Sequence, residues 1–335
     1  MNMRRTHYIR TMFAALLVST LLASCTQDEL AGNQDTPLPS GKYPLTLTSA
    51  SLGGLQSVTR STVENKWKGG EEVYVQVIDN YTSGEPEWDN ATKQTYTVAN
   101  DGTMTKFVGD DVYWQISTEQ TEQKAIRAWC VGGRAAASGE PPSSHAVETD
   151  QSTDSYAQSD FLYAGCISDF AGGKNGVNLQ FYHQVAKLKI HIARGDDTPA
   201  VFSITELTID NVAIQGNFTA PEISGTDNQY GRWSMTGQQT ADITPHADNT
   251  TDTYLASYEA IVIPQTVQSG TKLFTVTADG YGSSFVYTTT ENKEWEPGKE
   301  YTYTVTIKGN KVEVSVSANS IGWTPGNTAN GEVEL

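Results

Sequence analysis

In the stretch Tyr301-Thr302-Tyr303-Thr304-Val305-Thr306-Ile307-Lys308-Gly309-Asn310-Lys311-Val312-Glu313-Val314-Ser315-Val316, apolar and polar residues change places at nearly every step. Tyr301, Tyr303, Val305 and Ile307 alternate with three threonines, the period of a strand that buries one face. Gly309-Asn310 is a two-residue turn dipeptide, and Val312, Val314 and Val316 resume the alternation on the way back. The stretch therefore reads as an antiparallel hairpin. The same period recurs upstream. Leu45-Thr46-Leu47-Thr48 opens the folded part, and Val73, Val75 and Val77 follow the turn signal Gly69-Gly70. Further strands are expected at 96–98, 105–108 and 125–131, and in the second half at 201–209, 212–219, 254–263, 272–278 and 284–289. Short strands at regular spacing, with no sustained helical period between them, predict two antiparallel β-sandwiches in series.

The connections divide the chain. Residues 133–159, dominated by Gly, Ser, Pro, Gln and Asp, read as a long surface loop. Val177, Leu179 and Phe181 mark one inward face, and Ala186, Leu188, Ile190 and Ile192 mark another of opposite parity. The pleat must slip around 182–184, at a bulge or a break. Lys187, Lys189 and His191 are then expected to point outward. Arg194-Gly195-Asp196-Asp197-Thr198-Pro199 reads as the join, giving an N-terminal domain at 44–195 and a C-terminal domain at 196–335. Residues 25–43 read as a flexible tether.

The N-terminus sets the compartment. Arg4, Arg5 and Arg10 precede an apolar run from Met12 to Leu22, the layout of a secretory signal peptide. The run falls well short of the ~20 residues of a spanning helix. It closes on Leu22-Ala23-Ser24-Cys25, which resembles the bacterial lipoprotein box, so residues 1–24 are expected to leave and Cys25 to carry the lipid. Asp28 and Glu29 resemble the acidic tag of surface-exposed lipoproteins of Bacteroidetes. An outer-membrane protein facing outward is expected.

The formal net charge is −17, and losing three signal arginines makes it more negative still. Such a surface excludes nucleic acid as a partner, because phosphates demand a basic face. Beyond Cys25 only Cys130 and Cys166 remain, either as a pair or as two buried thiols. No HExxH, Cys-x-x-Cys or GxSxG motif occurs. His183 and His191 are eight residues apart, too far to share a metal unaided. Neither a cofactor nor a metal is expected, and the scattered carboxylates read as solvated surface rather than as a glycosidase pair. Tryptophans exposed on loops could stack on sugars, with 81–88 as the ligand loop. This makes a surface glycan-binding lipoprotein the alternative function.

Several segments together resemble the fimbrillin family of Bacteroidetes. They are the lipoprotein signal, the first strand followed by Thr59-Arg60, Trp67 with the strand at 72–78, Asp160-Phe161-Leu162-Tyr163-Ala164, and Ala186-Lys187-Leu188-Lys189-Ile190. Ile261-Val262-Ile263-Pro264-Gln265 and Trp295-Glu296-Pro297-Gly298-Lys299-Glu300-Tyr301 continue the match in order. The resemblance implies two tandem antiparallel β-sandwich domains of transthyretin-like, Greek-key type in a pilus subunit without enzymatic activity. It also implies that a trypsin-like, Arg-specific protease cuts after Arg60 and leaves Ser61 as the new N-terminus. A strand of another fimbrillin subunit then fills the vacated groove. Partners would be such subunits, the outer membrane through the lipid, and a host or bacterial surface ligand. The tail after Ile321-Gly322-Trp323 is short, and Gly322, Pro325, Gly326 and Gly331 weaken it as a donor strand. That leaves open a tip or accessory subunit, or a surface lipoprotein that keeps its first strand and never polymerises.

Overall fold

The computed structural model describes residues 41–53, 62–116, 122–135, 139–196, 203–223, 229–235, 237, 239–248, 253–279, 284–308, 311–317, 324–325 and 330–334, with side chains as far as Lys308. In the first half the strands are β1 (Gly41–Pro44), β2 (Leu47–Leu52), β3 (Glu71–Tyr81), β4 (Thr92–Val98), β5 (Met104–Gly109), β6 (Tyr113–Ile116), β7 (Gln123–Val131), β8 (Ser144–Ala146), β9 (Phe161–Asp169) and β10 (Val177–His183). Next come β11 (Ala186–Arg194), β12 (Ile204–Ala213), β13 (Gln215–Thr219), β14 (Arg232–Ser234), β15 (Thr240–Ile243), β16 (His246–Ala247), β17 (Ala256–Val262) and β18 (Gln265–Val267). The last are β19 (Lys272–Ala278), β20 (Phe285–Thr288), β21 (Lys293–Trp295), β22 (Lys299–Lys308), β23 (Lys311–Ser317), β24 (Thr324–Pro325) and β25 (Asn330–Glu334). Two one-turn helices, α1 (Ser155–Gln158) and α2 (Phe170–Gly173), interrupt them. The expected all-β fold is found.

The first sheet runs β2-β10-β9-β7-β3-β4-β5 and curls on its own core. Its two ends meet where Ala50 N–H donates to Gly102 O at 2.8 Å and Ser49 bridges Thr103. Val73, Val75 and Val77 point into that core, as their spacing predicts, beside Ile126 and Ala128 of the neighbouring β7 and together with Leu179 and Phe181 of β10. The second half is a sandwich. The sheet β16-β17-β11-β22-β23-β25 faces β15-β12-β19-β20, and Phe274 meets Tyr303 edge-on at 5.0 Å between them. Among the described ladders three are parallel rather than antiparallel: β2–β10, β11–β22 and β22–β24. Each joins segments distant in sequence, where no tight turn dictates direction.

Four expectations are corrected. β11 precedes the join read at 194–199, yet it lies between β17 and β22 and fills the second core. The chain passes from one sheet to the other at 183–186, where the parity slip was read, and the slip is a break. Gly41–Pro44, expected mostly as tether, pairs with β6. The tail that reads as a weak strand forms β25, antiparallel to β23. Residues 139–159 are no free loop. They form a strap in which Val147, Gln151, Tyr156 and Ser159 are buried. Only β8 and α1 are regular there, and main-chain bonds tie the strap down: Val147 N–H to Ile214 O, Gln151 N–H to Thr244 O and Phe218 N–H to Ser143 O, each 2.8 Å. The Gln151 amide also pairs both ways with the Ile261 backbone, at 2.8 and 2.9 Å. Strap and second core cover the outer face of the first sheet, so β7 is buried on both faces.

Candidate functional site

Cys25, Arg60 and Ser61 lie outside the described residues, but the chain on either side of Arg60 is in place. Upstream, β2 sits within the sheet, between β10 and the Gly102–Thr103 turn. Leu45, Leu47 and Ala50 are buried, against Leu179, Phe181 and the Trp67 indole. The inward positions run 45, 47 and then 50, because the register with β10 shifts between Val177 and Asn178 and leaves Thr48 as the extra residue. Gly176 makes this bulge fit. Its φ of 107° is left-handed, and a Cβ there would overlap the Thr48 side chain. Asn178 Oδ1 accepts from Thr48 Oγ1 at 3.0 Å and from Ser49 Oγ at 2.6 Å.

Downstream, the chain resumes in a single turn of 3-10 helix, Thr62–Glu64. Thr62, Val63 and Asn65 are buried, and Val63 packs into the second core. Lys187, expected to face solvent, is 1% exposed, because this turn and the strap cover that side of β11. Its ammonium donates to Val63 O at 3.2 Å and Glu64 Oε1 at 2.7 Å, and lies 3.1 Å from Glu259 Oε2 and 3.9 Å from Glu300 Oε2. A buried cation requires such partners. Tyr156 of the strap donates to Glu259 at 2.9 Å, and Lys189 pairs with the same carboxylate at 3.1 Å. Burial opposes ionisation of Glu259, but Lys187 and Lys189 overcome it and hold its carboxyl down at about 2. For Glu64 and Glu300 burial dominates and raises the carboxyl despite Lys187. One residue on, Asn65 takes a left-handed φ of 56°. Its Oδ1 lies 3.0 Å from His183 Nε2, while His183 Nδ1 lies 2.8 Å from Asp160 Oδ1.

Other candidates do not assemble. His183 and His191 belong to different sheets. Among the described residues no three His, Cys, Asp or Glu are placed to hold a metal. Cys130 and Cys166 are both free thiols. Cys166 faces Ile126, four positions from Cys130 along β7, which separates them by roughly 13 Å at strand spacing and rules out a bridge. Trp67, Trp114, Trp129 and Trp295 are buried. Trp88 packs 4.2 Å from the Arg127 guanidinium and Trp233 donates to Gln184 O, so the described tryptophans form no open platform for sugars.

A family model described as fimbrillin-like matches residues 59–323. The chain belongs to the fimbrillin-like family. A Bacteroides uniformis protein named as fimbrium subunit Fim1C is 27% identical over 328 residues, covering 95% of this chain and 96% of that protein. A crystal structure of a Bacteroides uniformis protein described as a cell adhesion protein has a TM-score of 0.56 at 22% identity, over 86% of this fimbrillin-like chain and all of the other. One from Bacteroides ovatus, described in the same words, has a TM-score of 0.51 at 13% identity, over 89% of this chain. Both share the fold.

Proposed function

We propose that this chain is a structural subunit of a cell-surface fimbrium. In this reading it is exported as a lipoprotein on Cys25, displayed on the outer membrane, and made competent for assembly by cleavage after Arg60. The seat of β2 carries the proposal. A segment with one apolar face fills a groove that only non-covalent contacts, the main-chain ladder, the core packing and the side-chain bonds to Asn178 and Trp67, would hold once the chain is cut. Cutting frees β1 along with β2, since both lie upstream of Arg60. Burial of each large apolar side chain in the groove is worth about 1.5–3 kcal/mol, available equally to an incoming strand. β25 is a candidate donor, since it ends its sheet and is paired there to β23 over five positions, with Val333 as its one large apolar residue. The fimbrium relative and the family membership support the same reading. Partners are then other fimbrillin subunits, an Arg-specific protease and, through the lipid, the outer membrane.

The test is limited digestion of the full chain with trypsin, followed by incubation alone and with a second fimbrillin. Ladders of rising mass that appear only after the Arg60 cut are expected. Cut protein that never associates, alone or mixed, would overturn the proposal.

A further inference from the structure

Arg60 is followed closely by Lys66 and Lys68, so three bonds with the same chemistry lie within nine residues. Cutting at the second or third would remove the turn that plugs the junction between the sheets. We infer that the segment from Thr62 to Glu71 is a built-in stop, which confines trypsin-like cleavage to Arg60 even where the protease also accepts Lys, and so fixes the N-terminus of the processed subunit. The inference rests on the processing reading above.

Five attachments make the stop. Val63 is buried in the second core. Glu64 grips Lys187, and Asn65 meets His183. Trp67 is 5% exposed and crosses Phe181 edge-on at 5.6 Å, a contact that survives the loss of β2 because both residues lie downstream of Arg60. The Glu71 carboxylate takes both amides around the third bond, Lys68 N–H at 2.7 Å and Gly69 N–H at 2.8 Å. A protease needs several residues in extended form, so cutting at Lys66 or Lys68 requires the attachments flanking that bond to open together. The rate then follows the population of that open form.

The experiment is a tryptic time course on the full chain, with the large fragment's N-terminus read by mass spectrometry. It is run on wild type and on Glu64→Ala, Glu64→Gln and Glu71→Ala, each checked for an unchanged melting profile of the second half. Wild type should accumulate with Ser61 first. Each alanine variant should trim onward to Trp67 or Gly69 at least about tenfold faster, as expected for loss of one charged hydrogen bond. Glu64→Gln should fall between. Wild type trimmed past Arg60 as fast as it is cut there would overturn the inference, and so would alanine variants that trim no faster. If the Arg60 bond resists, the processing reading fails on its own. The Lys66 and Lys68 bonds still decide the stop by comparing variant with wild type.

Discussion

The Trp67 indole N–H donates a 2.8 Å hydrogen bond to the carbonyl of Ala50, and Arg60 lies between the two in the chain. The bond therefore joins the segment that would leave to the segment that would stay. Cleavage alone should not disturb it. Departure of β2 should strip the indole of this partner and open its pocket, shifting Trp67 emission to the red. Trp67→Phe should abolish the shift and lower stability by about 1 kcal/mol. Release of the N-terminal peptide without an emission change in wild type would contradict this account.

Gly176 offers a way to loosen the first strand without touching it. Gly176→Ala places a methyl group against Thr48 at a left-handed φ. The expected cost is about 1–3 kcal/mol, concentrated in the β2–β10 ladder. After cutting at Arg60 the variant should shed its N-terminal peptide markedly faster than wild type in size-exclusion chromatography. Equal release would show that the bulge does not hold the strand.

The junction around Lys187 should be acid-sensitive. The folded carboxyl of Glu259 is depressed from 4.5 to about 2. Its contribution is fully present above pH ~4.5 and is lost as pH falls towards 2. Glu64 and Glu300 are raised, so their protonation favours the folded state and partly offsets this loss on the way down. Glu259→Gln should flatten the fall in stability between pH 4.5 and 2, measured by urea denaturation. Lys187→Met, which strands buried carboxylates, should cost about 3–5 kcal/mol at pH 7. An unchanged acid limb in Glu259→Gln would remove Glu259 from the explanation.

Membrane attachment is tested at Cys25. In the proposed reading the Cys25 thiol is the lipid acceptor, so Cys25→Ala should give unprocessed precursor that incorporates no labelled palmitate. Wild-type labelling in the variant would exclude this residue as the anchor.

The hairpin of β22 and β23 was legible because a two-residue turn and strict alternation are local signals, and Lys308 pairs with Lys311 as they require. The first strand was legible as one apolar face but not in detail, since its bulge depends on Gly176, far away in sequence. Polar composition marks 194–199 as a join, but which sheet the preceding strand enters depends on partners roughly seventy and a hundred residues later. The strap was hidden for a related reason. Gln151 is a polar residue that serves as a backbone surrogate, and nothing local distinguishes it from a solvated one. Lys187 misleads in the same way, because the groups that bury it come from other segments.

The strap also has a mechanical consequence. A subunit gripped by its groove at one end and by β25 at the other would carry tension from the first sheet to the second. Without the strap, that load would converge on the short crossing at 183–186. The pairing of Gln151 with Ile261 and the bonds from Val147 to Ile214 and from Ser143 to Phe218 run beside the crossing. Tension is thus divided between a covalent path and a lateral seam, and the two sheets separate only when the seam shears along its length.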